Sequence, residues 1–238
     1  MLEVLAKIPG RSKIAYKYSE TDIAHAAVLL RGFKGELRGF KEESVVDEHT
    51  FWLDFGATNP NLPDQSDTAV YQQQILEIID RIQLHEVNKV VLSRPSHLYT
   101  ERADAQATFA ALQERYSNCT VFALKHPDFG HWMGASPEVL FEEIDGGYRS
   151  MSLAGTRLSG ALNWGDKERE EQNFVTKEIY KTLDNFGGQV RTQGEETLNA
   201  GPVEHLMTWV VTDAMNAPAV EVLEALHPTP AICGTPTA

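Results

Sequence analysis

The sequence predicts an α+β fold, and three observations carry that reading. Short β-branched and aromatic runs are separated by Gly- and Pro-rich turns of the kind that join antiparallel strands. Long segments with helical periodicity stand among them without the strand–helix alternation of a doubly wound sheet. No Gly-x-Gly-x-x-Gly or P-loop pattern follows any predicted strand, so nucleotide binding has no sequence support. With 238 residues and no internal repeat or low-complexity tract, the chain reads as a single domain, 1–238.

Each element has its own local signal. The first sixty residues read as short strands and one helix, turned at Pro9-Gly10 and at GATNPNLPDQSD. Ser66 or Asp67 caps the next helix, whose apolar stripe is Tyr71, Ile75, Ile78, Ile79 and Ile82. KVVLSR, from Lys89 to Arg94, is a short β-branched strand. A second helix starts at about Asp104 and puts Phe109, Leu112 and Tyr116 on one face. CTVFALKH is a strand, and HWMGASPEVLFEEIDGGYRSMSLAGT reads as strand, turn, strand, Asp-Gly-Gly hairpin, strand. A polar helix runs from about Asp166 to Asn185 and is stopped by Gly187-Gly188. EHLMTWVVTDAM is a strand and PAVEVLEAL a helix.

Composition narrows the function classes. A formal net charge of -13 excludes the basic surface that nucleic-acid binding needs. An anionic metabolite remains compatible, because a local cation or metal overrides the global field. Cys119 and Cys233 cannot build a disulfide framework or a thiolate zinc site. MLEVLAKIPGRSK has no apolar signal core, and no segment reaches the roughly 18 apolar residues of a membrane span. A cytoplasmic protein without a membrane partner is expected.

Several residues could carry chemistry, each with a plain structural alternative. Lys89 flanks an apolar strand; it is either a solvated charge or, if held out of water, a general base. Glu138 in GASPEVLFE is either a dipole-favoured helix-start residue or a buried acid. Glu168 and Glu171 stand three apart, which puts both carboxylates on one helix face while Glu170 points elsewhere. Such oxygen ligands suit Mg²⁺, and an acidic solvated face is the alternative. Gly155 and Thr156 in SLAGTRLSG could offer N–H groups and a hydroxyl to a carboxylate, or form a strand-end turn. His205 fits a satisfied core histidine as well as a catalyst. The ending LHPTPAICGTPTA, punctuated by prolines and Gly234, reads as a loose tail or as a substrate-facing turn.

In order, KVVLSR, GASPEVL, LAGTR, KEREEQ, EHL and LHPTPAICGTP resemble the motifs of the chorismate-utilising enzymes, from Lys89 to the end. HPTPA is most similar to the isochorismate synthases within that family. The resemblance implies a layered α/β/β/α sandwich and Mg²⁺-dependent interconversion of chorismate and isochorismate; separately from it, a monomer is expected. Water adds at ring C2 while the C4 hydroxyl leaves. It assigns Lys89 as the base, Glu138 as the acid, and His205 as a residue near the C4 hydroxyl or enolpyruvyl side. Glu171, with Glu168, would hold Mg²⁺ against the ring carboxylate. Ala154, Gly155 and Thr156 would frame that carboxylate, and Ala231 and Gly234 would belong to the loop lining the ring pocket.

Two departures accompany the resemblance. The family usually has Glu-His where this chain has Glu171-Gln172, a change expected to be tolerated because the matched ligand is the Glu. Family members also continue beyond the closing motif, so the sandwich is expected to be truncated at the C-terminus and this chain alone inactive. A salicylate synthase is the same-class alternative; those relatives carry Thr where this chain has Ala231. A truncated, catalytically inactive chorismate-binding paralogue is the alternative from another class. A menaquinone or a siderophore pathway fits the reading equally.

Overall fold

The computed structural model describes residues 1–31, 35–53, 55–56, 67–98 and 104–236. Its first elements are β1 (Leu2–Lys7), β2 (Ile14–Thr21), β3 (Val28–Arg31), β4 (Leu37–Val45) and α1 (Glu48–Leu53). Next come α2 (Thr68–Gln83), β5 (Lys89–Val90), α3 (Ala105–Arg115), β6 (Thr120–His126), β7 (Gly130–Ser136) and β8 (Glu142–Ile144). The remainder is β9 (Gly147–Leu158), α4 (Asp166–Asp184), β10 (Val190–Ala200), β11 (Val203–Thr212), α5 (Ala219–Leu226) and β12 (Gly234–Thr235). The α+β class is observed. The chain is made of two compact units, each assembled from two separate stretches.

The first unit comprises Met1–Asp64 and His97–Pro137. Its antiparallel sheet has the order β3-β4-β2-β1-β6-β7. Strand alternation sends Leu5, Val121 and Ala123 to one face, where Phe51 of α1 and Phe109 of α3 cover them. Leu2, Tyr18 and Phe40 form a second buried cluster. The α3 helix starts where expected because the Asp104 side chain accepts the Ala107 N–H.

The second unit comprises Gln65–Ser96 and Glu138–Ala238. Its sheet has the order β10-β11-β9-β8, all antiparallel. One face packs against α4 through Val175, Ile179 and Leu183, a four-residue ladder that meets Val210, Val222 and Leu226. The other face carries Met151, Leu153 and Met207. The hairpin at Asp145-Gly146-Gly147 and the stop at Gly187-Gly188 both match the sequence reading, with left-handed φ at each of these glycines.

Three differences from the sequence reading have physical causes. β10 was not expected: VRTQGEETLNA is polar, nearly all exposed, and bulged between Gln193 and Glu196, so it lacks the alternation that marks a strand. KVVLSR forms a ladder only over Lys89–Val90, because its sole partner among the described residues is the two-residue β12. The stripe of α2 shows which side is apolar, but it buries no residue; Ile75 and Ile79 are 36% and 42% exposed. Asp67 caps that helix by accepting from Ala69 and Val70, while Ser66 lies outside the described residues. No helix among the described residues is long and apolar enough to cross a membrane.

The burial contrast between two isoleucines is directly testable. Ile179 is 1% exposed and Ile79 is 42% exposed. Denaturant unfolding should show Ile179→Ala losing about 2–5 kcal/mol. Ile79→Ala should lose less than about 1 kcal/mol. Equal losses would contradict the assigned packing of α4.

Candidate active site

Lys89 sits on β5 with its side chain only 10% exposed. A buried ammonium needs oxygen partners, because an unpaired charge away from water is costly. Three oxygens surround it. Nζ donates to Pro230 O at 2.6 Å, makes a longer contact with Ala231 O at 3.5 Å, and lies 3.3 Å from Glu171 Oε1. The carbonyls come from the turn after α5, closed by Ile232 N–H and Cys233 N–H donating to Thr229 O. From His227 to Pro236 the closing motif is therefore an ordered turn folded onto Lys89. Gly234 permits this: at φ +138° a Cβ there would lie 2.2 Å from Lys89 O. The Ala231 side chain packs against the α4 core, so its carbonyl is the part that meets Lys89.

Glu138 follows Pro137 in the connection between β7 and β8. Burial pushes its carboxyl up to about 7, an effect that the positive charge of Lys89 partly offsets. The group is thus substantially protonated near neutral pH, as a proton donor must be.

The first turns of α4 supply the other carboxylates, with a correction to the sequence reading. Glu171 faces Lys89. A cavity of about 620 Å³ in the second unit is lined by Lys89, Glu170 and Glu171, together with His85, Lys167 and Phe174. Glu168 does not line it, whereas Glu170, expected to point away, does. Helix geometry explains the exchange. Residues 168, 172, 175 and 179 form the row that faces the sheet, while 167, 170, 171 and 174 share the neighbouring flank. Glu168 accordingly has its Cβ against Gly155, and its carboxylate folds back toward Gly165 at the helix start. That end of the helix favours negative charge.

A second group of residues lies where β9 meets β11. The register steps from His205↔Thr156 to Leu206↔Ala154, leaving Gly155 as the extra residue of a bulge. Gly155 has φ +38°, and a Cβ there would lie 2.9 Å from Glu168 O, so only glycine lets α4 approach. Thr156 Oγ1 is 3.0 Å from His205 Nδ1. Burial lowers the His205 pKa, which favours the neutral ring. Ala154 is buried in the core, so only its backbone can serve a ligand. The sequence reading missed two features: the Pro230 carbonyl, and Gln172, a 3% exposed amide in the sheet-facing row of α4. A polar residue placed one turn before the apolar run Val175, Ile179 and Leu183 was the available signal for the latter.

Among the described residues, no group of three or more His, Cys, Asp and Glu side chains could hold a metal ion. The cavity nevertheless offers two carboxylates, Glu170 and Glu171. That oxygen-only set fits a hard cation that keeps water and substrate oxygens in its shell. It fits no thiophilic metal.

Comparison with known proteins supplies the family. The sequence profile described as chorismate binding enzyme matches residues 54–238. The isochorismate synthase MenF of Escherichia coli K12 is 26% identical over 232 residues, covering 92% of this chain and 52% of MenF. Isochorismate synthase 2, chloroplastic, of Arabidopsis thaliana is 29% identical over 63% of this chain and 29% of its own length. In fold, the chain is similar to DhbC of Bacillus anthracis, with TM-score 0.70 at 20% identity over 99% of this chain and 74% of DhbC. The chain spans about half the length, or less, of these curated relatives.

The state of Glu138 has a measurable consequence. Its pKa is raised from the ordinary 4.5 to about 7 in the folded protein. Folding therefore gains from this group fully below pH 4.5, and the gain is lost as pH rises through about 7. Glu138→Gln removes that dependence. Denaturation should find the variant close to wild type at pH 5 and more stable than wild type at pH 8. A constant difference across that range would contradict the burial of an ionisable group here.

Proposed function

The chain belongs to the chorismate-binding enzymes, and we propose on that premise that it serves an Mg²⁺-dependent isochorismate synthase. The observation that carries this reading is the pairing of a caged lysine with a protonated glutamic acid. Both are held in the second unit, where Lys89 meets the Pro230 carbonyl and burial raises the Glu138 pKa to about 7. The proposed reaction needs one group to take a proton and another to give one.

In the proposed step Lys89 acts as the base that takes a proton from water. The oxygen bonds to ring C2, the ring double bonds shift, and the C4–O bond breaks. Glu138 delivers its proton to the departing hydroxyl, so one water enters and one leaves. The Lys89 amine becomes an ammonium as this happens, and the oxygens of Pro230, Ala231 and Glu171 stabilise that developing charge. They are already in place, so the stabilisation requires no reorganisation at the moment of reaction.

Glu171 would hold Mg²⁺, and Glu168 would join it only by turning from Gly165 into the cavity. The metal, when bound, would neutralise a substrate carboxylate that a chain of net charge -13 otherwise repels. The Gly155 and Thr156 backbone, with the Thr156 hydroxyl, would meet that carboxylate. His205, kept neutral by burial, would orient the Thr156 hydroxyl. Chorismate is the proposed partner; either a menaquinone or a siderophore pathway could take the product.

A protein that contains this chain, incubated with chorismate and Mg²⁺, should yield isochorismate, resolved by chromatography. Salicylate and pyruvate as main products would replace this reading with a salicylate synthase. No turnover with retained chorismate binding would favour an inactive binding paralogue. In protein that turns over, Lys89→Ala and Glu138→Gln should each lower kcat by about 10²–10⁴ with folding intact. Near-normal turnover by either variant removes the role assigned to that residue.

A further inference from the structure

We propose that Gln172 is a positioning residue for the candidate site: its buried amide fixes the β9 bulge that presents Gly155 and Thr156, and ties that bulge to the turn of α4 that carries Glu171. The inference rests on the proposed function only for what the bulge presents. At a bulge the strand ladder is interrupted, and backbone groups need other partners. Here the Ala154 N–H donates to Gln172 Oε1 at 2.9 Å. The other end of the same amide donates from Nε2 to Ser152 O at 3.0 Å and to Ser152 Oγ at 3.1 Å. Ser152 Oγ lies 2.8 Å from Thr176 Oγ1, which itself donates to Gln172 O at 3.0 Å.

The result is a closed polar network between α4 and β9, in a setting that is otherwise apolar. Ser152 is fully buried, and Val175 and Ile179 continue the row from Gln172 at 0% and 1% exposure. A hydrophobic residue would satisfy packing at position 172 but leave the Ala154 N–H without its acceptor. An amide offers one acceptor and two donors, which is the set these three partners require. Because every partner is buried, the network permits one orientation of the amide and hence one shape of the bulge.

That shape has consequences on both sides of Gly155. Toward β11 it sets Thr156 opposite His205, at 3.0 Å between Oγ1 and Nδ1. Toward α4 it lets the Glu168 backbone pass within 2.9 Å of where a Gly155 Cβ would stand. Glu171 lies one residue before Gln172, so the same helical turn that grips the bulge also sets the carboxylate beside Lys89. Gln172 touches neither Lys89 nor the cavity; it acts through the strand.

The test compares wild type, Gln172→Leu and Gln172→His in the full chain by amide hydrogen exchange, NMR of the His205 ring, and calorimetric titration with chorismate and Mg²⁺. In the leucine variant, protection of the Ala154 amide should fall by about tenfold more than that of Val211 in the same sheet. The His205 ring resonances should shift, and chorismate affinity should drop by about tenfold or more. Histidine can keep one acceptor and one donor, so Gln172→His should recover most of the protection and affinity. Unchanged Ala154 protection and His205 resonances in the leucine variant overturn the proposal, as does an equal loss across the whole sheet. Should that variant not fold, Gln172→Met is read by the same measurements. If wild type itself does not bind chorismate, the functional reading fails, while hydrogen exchange still decides the role of Gln172.

Discussion

Lys89 carries its charge to a place where its side chain is only 10% exposed, and much of the second unit is arranged around that fact. The partners that replace its lost hydration come from distant parts of the chain: Pro230 and Ala231 from the turn after α5, Glu171 from α4. To bring those carbonyls within reach, β12 must lie directly against β5, which only a glycine at 234 allows. To bring the carboxylate within reach, α4 must close on β9, which only a glycine at 155 allows. Two glycines, the carbonyls of Pro230 and Ala231 and one helix register thus answer a single electrostatic demand. Replacing the lysine by a neutral residue would leave those oxygens facing each other without a donor.

The same arrangement separates the roles of two carboxyl groups. Glu171 meets the ammonium directly and is partly open to solvent, so it serves as the counter-ion. Glu138 is buried more deeply, and the lysine charge only partly offsets its desolvation. One carboxyl is therefore paired and the other is a reservoir for a proton, a division of labour set by environment rather than by residue type. In a chain with net charge -13, a local cation and an acid of raised pKa would also ease the approach of the proposed anionic substrate.

Much of this was legible in the sequence because the signals were local. Asp67 and Asp104 announced helix starts, Gly187-Gly188 a helix stop, and Asp145-Gly146-Gly147 a hairpin. Lys89 and Glu138 stood out by their position beside apolar runs. What was not legible depended on long-range partners. The polar strand β10 is defined by hydrogen bonds to β11 and not by its own pattern. Glu168 and Glu170 exchanged places because a three-residue spacing fixes only that two residues are near neighbours on a helix. Which flank meets the cavity is set by Val175, Ile179 and Leu183 docking on the sheet. Gln172 looked like a harmless substitution because its partners, Ala154 and Ser152, lie on another element.

The most direct test of the central claim follows the oxygen atom. If Lys89 activates water for attack at C2 while Glu138 helps the C4 hydroxyl leave, then reaction in ¹⁸O-labelled water must mark the product at one position. Mass spectrometry and NMR of isochorismate formed from unlabelled chorismate should find one ¹⁸O, in the C2 hydroxyl, with the original C4 oxygen released to solvent. Isochorismate that retains the substrate's own hydroxyl oxygen would contradict the account, because no water would then have been activated.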